Sequence, residues 1–179
     1  MPSITKPTKT GYTFGGYYTA TNGGGTQYYK ADGTSAKAWT ETSVTELYAK
    51  WTANTYSITY KDQGDIDFSG SHENGAPTQH TYGTATTLST ANKTGYTFDG
   101  WFTSSNCSGT AVTSLGATTY TSDITLYAKW VELPPTTIYV KTDGNCTDLK
   151  WNGTGMETLD CEGIYYTANI PASVSEITL

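Results

Sequence analysis

Leu-Tyr-Ala-Lys-Trp is written twice in this chain, at Leu47–Trp51 and Leu126–Trp130, and each copy follows an earlier Thr-Gly-Tyr-Thr-Phe, at Thr10–Phe14 and Thr94–Phe98. Two landmarks recurring in the same order define a repeat array, which restricts the fold to modules that each rebuild one core. Duplication of a small module suits spacing, display or adhesion, whereas an active site needs unlike groups converging on one point. Thr10 and Leu47 are 37 residues apart and Thr94 and Leu126 are 32 apart. The extra length is expected between Asn22 and Gly33, where glycines and turn formers absorb added residues at little loop-closure cost.

The period of two in a strand puts Leu126, Ala128 and Trp130 on one face and Tyr127 and Lys129 on the other. The apolar set is read as core, and the same reading of the first copy places Leu47 and Trp51 inside. Upstream, Gly95 and Gly100 bracket a short aromatic strand, and a bulge at Gly100 is expected to turn Trp101 inward beside Phe98. On this reading Trp130→Ala unfolds the second module, at a cost of about 3–5 kcal/mol.

Composition points the same way. The chain has 37 Thr, 15 Tyr and 19 Gly among 179 residues, with 10 Lys and no Arg. Threonine and tyrosine suit a pleated, half-buried surface and glycine punctuates it with turns, so the fold is expected to be mainly β with little helix. The net charge of −6 argues against nucleic acid or an anionic membrane surface as partner, since both need clustered cations. No run of 18 apolar residues is present to span a bilayer, and Met1-Pro2-Ser3-Ile4 lacks the character of a signal peptide.

Before the second pair of landmarks lie a β-rich stretch, Tyr56–Tyr60, a turn-rich region from Gln63 to Pro77, and a further stretch, Gln79–Leu88. Nothing equivalent precedes the first pair. Residues 1–52 are therefore read as the C-terminal half of a module, 53–131 as a complete module, 132–135 as a proline linker and 136–179 as an incomplete β module. The complete module is near the lower size limit for a self-sufficient core, so it must lean on its aromatic residues.

The order Tyr-Ser-Ile-Thr-Tyr, Tyr82-Gly83-Thr84-Ala85-Thr86-Thr87-Leu88, Lys-Thr-Gly-Tyr-Thr-Phe-Asp-Gly-Trp and Ser122–Trp130 resembles the Listeria–Bacteroides repeat, also called the internalin B-type repeat. The likeness spans about 56–130 in full and 8–51 in part. It implies tandem, β-grasp-like modules of bacterial surface or secreted proteins, acting as spacer, stalk or adhesive segment, with a host or cell-surface protein or a polysaccharide as partner. The first copy departs from the pattern, with Gly15 and Tyr17 where the second has Asp99 and Trp101.

Beyond Pro134-Pro135 the landmarks do not recur. Thr137–Lys141, the Trp151-x-Gly-x-x-Met156 element, Gly163–Thr167 and Ser175–Leu179 resemble the first part of a starch-binding carbohydrate-binding module, a small β-sandwich. That resemblance implies an accessory role beside a secreted glycan-degrading enzyme. Tyr139 and Trp151 are the candidates for stacking on a sugar ring; Trp151 as core is the competing reading. Cys146 and Cys161 enclose a loop that a disulfide would staple in an oxidising compartment, leaving Cys107 free; two buried thiols are the alternative.

Catalytic chemistry has no constellation here, and no cofactor is expected. His72 and His80 are read as solvated loop residues, since their spacing fits no compact metal set even with Glu73 added. Asp62, Asp65 and Asp67 lack the order of a calcium loop. No nucleophile elbow, phosphate loop or dinucleotide fingerprint is present.

Overall fold

The structure of the protein is a computed structural model, and it describes residues 1–43 and 46–133 together with the backbone course of Thr136–Lys141 and Tyr165–Ile170. The strands in chain order are β1 (Tyr12–Ala20), β2 (Gly24–Tyr29), β3 (Tyr48–Ala53), β4 (Thr55–Asp62), β5 (Ile66–Asp67), β6 (Ser71–His72), β7 (Gln79–Thr81), β8 (Thr86–Thr87), β9 (Ala91–Asn92), β10 (Tyr96–Phe102), β11 (Ser114–Leu115) and β12 (Ile124–Glu132). β13 (Thr136–Lys141) and β14 (Tyr165–Ile170) form a separate antiparallel pair. The class is mainly β, and among the described residues there is no α-helix, only a single 3-10 turn at Thr21–Gly23.

The two landmarks of each copy are partners. Thr-Gly-Tyr-Thr-Phe opens β1 and β10, and Leu-Tyr-Ala-Lys-Trp supplies β3 and most of β12. β1 pairs antiparallel with β3, Phe14 opposite Trp51, and β10 pairs antiparallel with β12, Phe98 opposite Trp130. Both ladders break just after the phenylalanine; the first resumes with Gly16 opposite Lys50 and Tyr17 opposite Ala49, the second with Trp101 opposite Ala128. Residues three apart in a regular strand face opposite sides. An extra residue in the ladder puts them on one side, so Phe98 and Trp101 meet with ring centroids 5.1 Å apart, as do Phe14 and Tyr17. Gly16 and Gly100, with φ of +117° and +114°, supply the backbone geometry that these bulges require.

The extra length of the first copy sits later than expected. Tyr17 pairs with Tyr29, 12 residues on, and Trp101 pairs with Val112, 11 residues on. One extra residue is thus in the hairpin and four lie between Tyr29 and Leu47. The added segment is a loop that folds back as Ala36 N–H donates to Tyr28 C=O and Lys30 N–H to Thr34 C=O.

What separates the two copies is the neighbour of the closing strand. In the second, β12 pairs in parallel with β4, Leu126 opposite Tyr60 and Ala128 opposite Asp62, in a sheet ordered β10-β12-β4-β5. In the first, the sheet is β2-β1-β3, and among the described residues β3 pairs with β1 alone. Burial follows from this. Leu126 and Ala128 are wholly enclosed with Ile58, Leu88, Trp101, Leu115 and Ile124, whereas Leu47 and Ala49 at the same register are half-buried. The first copy has its own small core of Phe14 and Tyr28. The Tyr28 ring lies against Trp39 at 4.6 Å, and its hydroxyl donates to Glu41 Oε1 at 2.9 Å.

The copies are joined by one residue. Asn54 stands between β3 and β4; its N–H donates to Gly11 C=O and its C=O accepts from Tyr82 N–H, each at 2.9 Å. The Tyr82 ring lies on Gly11, where a Cβ would fall 2.2 Å from it, and meets Tyr12 edge-on at 5.6 Å. Thr13 Oγ1 donates to Asn54 Oδ1 at 2.6 Å. Both backbone groups of the connecting residue are therefore satisfied, one by each copy.

Candidate functional site

Two places gather polar and aromatic groups: the junction just described, and a carboxylate enclosed by the second copy. Asp62, at the end of β4, is 6% exposed. Trp130 Nε1 donates to its Oδ1 at 2.7 Å, and Ser69 Oγ donates to Oδ2. Lys93 Nζ is 3.7 Å from Oδ2 and lies over the Tyr96 ring at 4.4 Å and the Trp130 ring at 5.7 Å. A buried charge survives in a protein only when paired and hydrogen-bonded, and this one has an indole N–H, a hydroxyl and an ammonium. The group is thereby committed to holding β4 against β12 and β10. The Ser69 hydroxyl and the Lys93 ammonium beside it are both directed at the carboxylate.

The core aromatics read from the sequence take graded positions. Trp101 is 2% exposed and its Nε1 donates to Ser89 C=O at 2.7 Å. Phe98 and Trp130 are half-buried against the same core, 5.3 Å apart. Trp51 is half-buried like Trp130, and Leu47 is half-buried where Leu126 is enclosed, because among the described residues no strand lies beside β3 as β4 lies beside β12. Across the bulge, Lys129 pairs with Asp99 at 2.6 Å in a half-exposed position, where such a pair contributes only about 0–1 kcal/mol.

The two histidines are not free loop residues: His80 is enclosed and His72 is half-buried. His80 is fully buried: β7 pairs with β4, Tyr56 opposite His80, and the alternation of that strand carries the imidazole inward. Its Nδ1 is 2.9 Å from Thr86 Oγ1, its ring lies edge-on to Tyr120, and its Nε2 has no hydrogen-bond partner. His72 stacks on Trp101 at 5.4 Å, beside Phe68 and Tyr60, and burial lowers its pKa. The error came from treating a turn-rich region as a surface loop, although its short strands are pinned back on the sheet.

Neither histidine joins a catalytic or metal set. Among the described residues no group of three or more His, Cys, Asp and Glu could hold a metal ion. Asp65 pairs with Lys61 at 3.0 Å, and Asp65 and Asp67 are exposed while Asp62 turns inward. Tyr60, whose hydroxyl donates to Pro77 C=O at 2.9 Å, is pushed by burial to a pKa of about 12, far from acid–base work near neutrality. Cys107 is buried, and burial raises its thiol pKa, the opposite of what a reactive thiolate needs. Tyr139 sits in β13 opposite Thr167. Trp151, Cys146 and Cys161 lie outside the described residues.

Sequence reading did not find Asp62 as the partner of Trp130, nor Tyr82 as the cap on Gly11. One signal was present: Lys9 and Lys93 stand three residues before Tyr12 and Tyr96 in the two copies, and a lysine repeated at a fixed offset from an aromatic residue marks a shared cation–π contact.

Among the described residues, no helix is long and apolar enough to cross a membrane. No curated protein and no solved structure matches the chain. The family model of the Listeria-Bacteroides repeat domain matches residues 1–50 and 56–129, the two stretches that share paired landmarks, a bulge and a common register. The chain belongs to the Listeria-Bacteroides repeat family.

Proposed function

We propose that this segment is a non-catalytic spacer of an extracellular bacterial protein, in which β-grasp-like beads hold a neighbouring domain at a set distance from the cell surface. Repeats of this family occur in bacterial surface proteins. The observation that carries the reading is the junction: a single connecting residue, bonded on both sides, with Tyr82 seated on Gly11. A joint of that kind fixes the angle between beads, which a spacer needs and a flexible tether lacks.

The test is to display the chain between a surface anchor and an epitope, and to compare it with a version lacking residues 10–131. The spacer reading expects the deletion to bring the epitope closer to the surface and to lower its capture by antibody. Unchanged capture would remove the reading. Retention of the intact chain on insoluble starch would replace it with the accessory carbohydrate-binding role that the resemblance of residues 136–179 implies.

A further inference from the structure

The chain enters the second copy through β4 and leaves it through β12, and these two strands are neighbours that run parallel. Asn54 hands the chain from β3 directly to Thr55, and β12 ends at Glu132. Between the strands the ladder covers five successive pairs, from Ile58 opposite Ile124 to Asp62 opposite Ala128. Tension along the chain therefore draws β4 backward along its own axis and β12 forward along the same axis. The strands can part only by sliding, which strains every bond of the ladder at once. Antiparallel neighbours pulled crosswise open instead one pair at a time from the loaded end. Two side-chain bonds oppose the same slide. Ser57 N–H donates to Asp123 Oδ1 at 2.8 Å near the entry, and the Trp130 indole N–H donates to Asp62 Oδ1 at 2.7 Å near the exit. Trp130 lies two residues past the register partner of Asp62, on the side towards which β12 is drawn, so any slide stretches that bond. Beneath the ladder Ile58, Leu126 and Ala128 are interlocked in the core.

We propose that the second copy is a tension-bearing element, in which β4, β12 and their two side-chain pins form a mechanical clamp that keeps the copy folded while the chain is stretched. Forced unfolding is governed by the unfolding rate, so a ladder that must break in one event sets a high barrier in this direction. The buried carboxylate fits such a role. A buried charged group is often no more stabilising than apolar residues of the same volume, whereas the Asp62 bond to Trp130 resists motion along one axis in particular. This deepens the spacer reading, on which it rests for the source of the load: a segment fixed at one end and carrying a domain at the other is pulled along its chain.

The experiment is single-molecule stretching of the intact 179-residue chain held by its two termini. The second copy is recognised by length, since the 78 residues from Thr55 to Glu132 release about 260 Å of extended chain, at about 3.3–3.6 Å per residue. The expected result is release of that length in a single step. The same chain is then loaded crosswise through azide-bearing residues at positions 97 and 131, exposed partners in the β10–β12 ladder, and should yield at a several-fold lower force. Asp123→Ala, at an exposed position, and Asp62→Ala should each lower the force under terminal loading. Equal forces in the two geometries would overturn the clamp, as would release of the 78 residues in small successive pieces. If the handle-bearing residues disturb the fold, the two alanine variants still decide, because they are pulled by the termini alone, and unchanged force in both would overturn it. The epitope assay reads distance and this one reads force, so a weak second copy with an intact epitope effect would remove the clamp and leave the spacer.

Discussion

The Asp62 carboxylate takes the Trp130 indole N–H at 2.7 Å across two parallel strands, and the two residues are 68 positions apart in the chain. Asp62→Ala leaves a half-buried indole N–H and the Lys93 ammonium without their acceptor. Loss of a hydrogen bond to a charged group costs about 1.5–3 kcal/mol, so urea unfolding followed by tryptophan fluorescence should show that loss. Asp62→Asn, which keeps an acceptor oxygen, should lose less; equal losses would mean that the charge is irrelevant.

Trp101 rather than Trp130 is the residue whose removal empties the core. Trp101→Ala is expected to cost about 3–5 kcal/mol, and Trp130→Ala less, because Trp130 is only half-buried. Matched urea melts of the two variants give the ranking, and a reversed order would contradict the burial described above.

Gly11→Ala places a methyl group 2.2 Å from the Tyr82 ring at a backbone φ of +75°. The ring must leave, and the joint between the copies opens. Calorimetry should show the first copy melting separately from the second, and small-angle scattering should show a larger radius of gyration. Tyr82→Ala removes the cap without straining the glycine and should produce the same separation.

Gly100→Ala tests the bulge. The residue has φ +114° and a Cβ there would lie 2.7 Å from the Ala111 Cβ, so the loss should be about 1–3 kcal/mol, the cost of a strained backbone site. Gly109→Ala, also at positive φ but with nothing within 4 Å, should cost less in the same denaturation assay, since only the backbone term applies.

Acid should weaken the second copy in two stages. Burial lowers the pKa of His72 below its ordinary value near 6.5, so the unfolded chain binds the proton first as pH falls. Stability is then whole above pH 6.5 and declines from there towards the lowered folded pKa. Glu73, held low by hydrogen bonds from Thr90 and Asn92, acts in the same direction in a lower window, its contribution present above its ordinary pKa and lost as pH falls further. Melting temperatures measured from pH 7.5 to 5 should fall, and His72→Phe should flatten that part of the curve. A flat profile in the parent chain would exclude the histidine effect.

Sequence alone was enough for the repeat, for the mainly β class and for the bulge at Gly100 that turns Trp101 inward. These are local: a period of two and a glycine at a bulge can be read within a dozen residues, because backbone sterics and alternation act over that range. The finer content came from contacts between distant segments. Alternation put Leu47 and Leu126 on the same face, yet only the strand beside β12 encloses one and leaves the other half-open. The turn-rich stretch around His72 and His80 looked solvated because turn chemistry marks where the chain bends and not what it bends onto. Asp62 is an unremarkable acid in the sequence, and Tyr82 one tyrosine of 15. Tertiary structure alone decided that the acid would face a tryptophan and the tyrosine a glycine, since burial and pairing depend on which surfaces meet, and a one-dimensional pattern does not specify that.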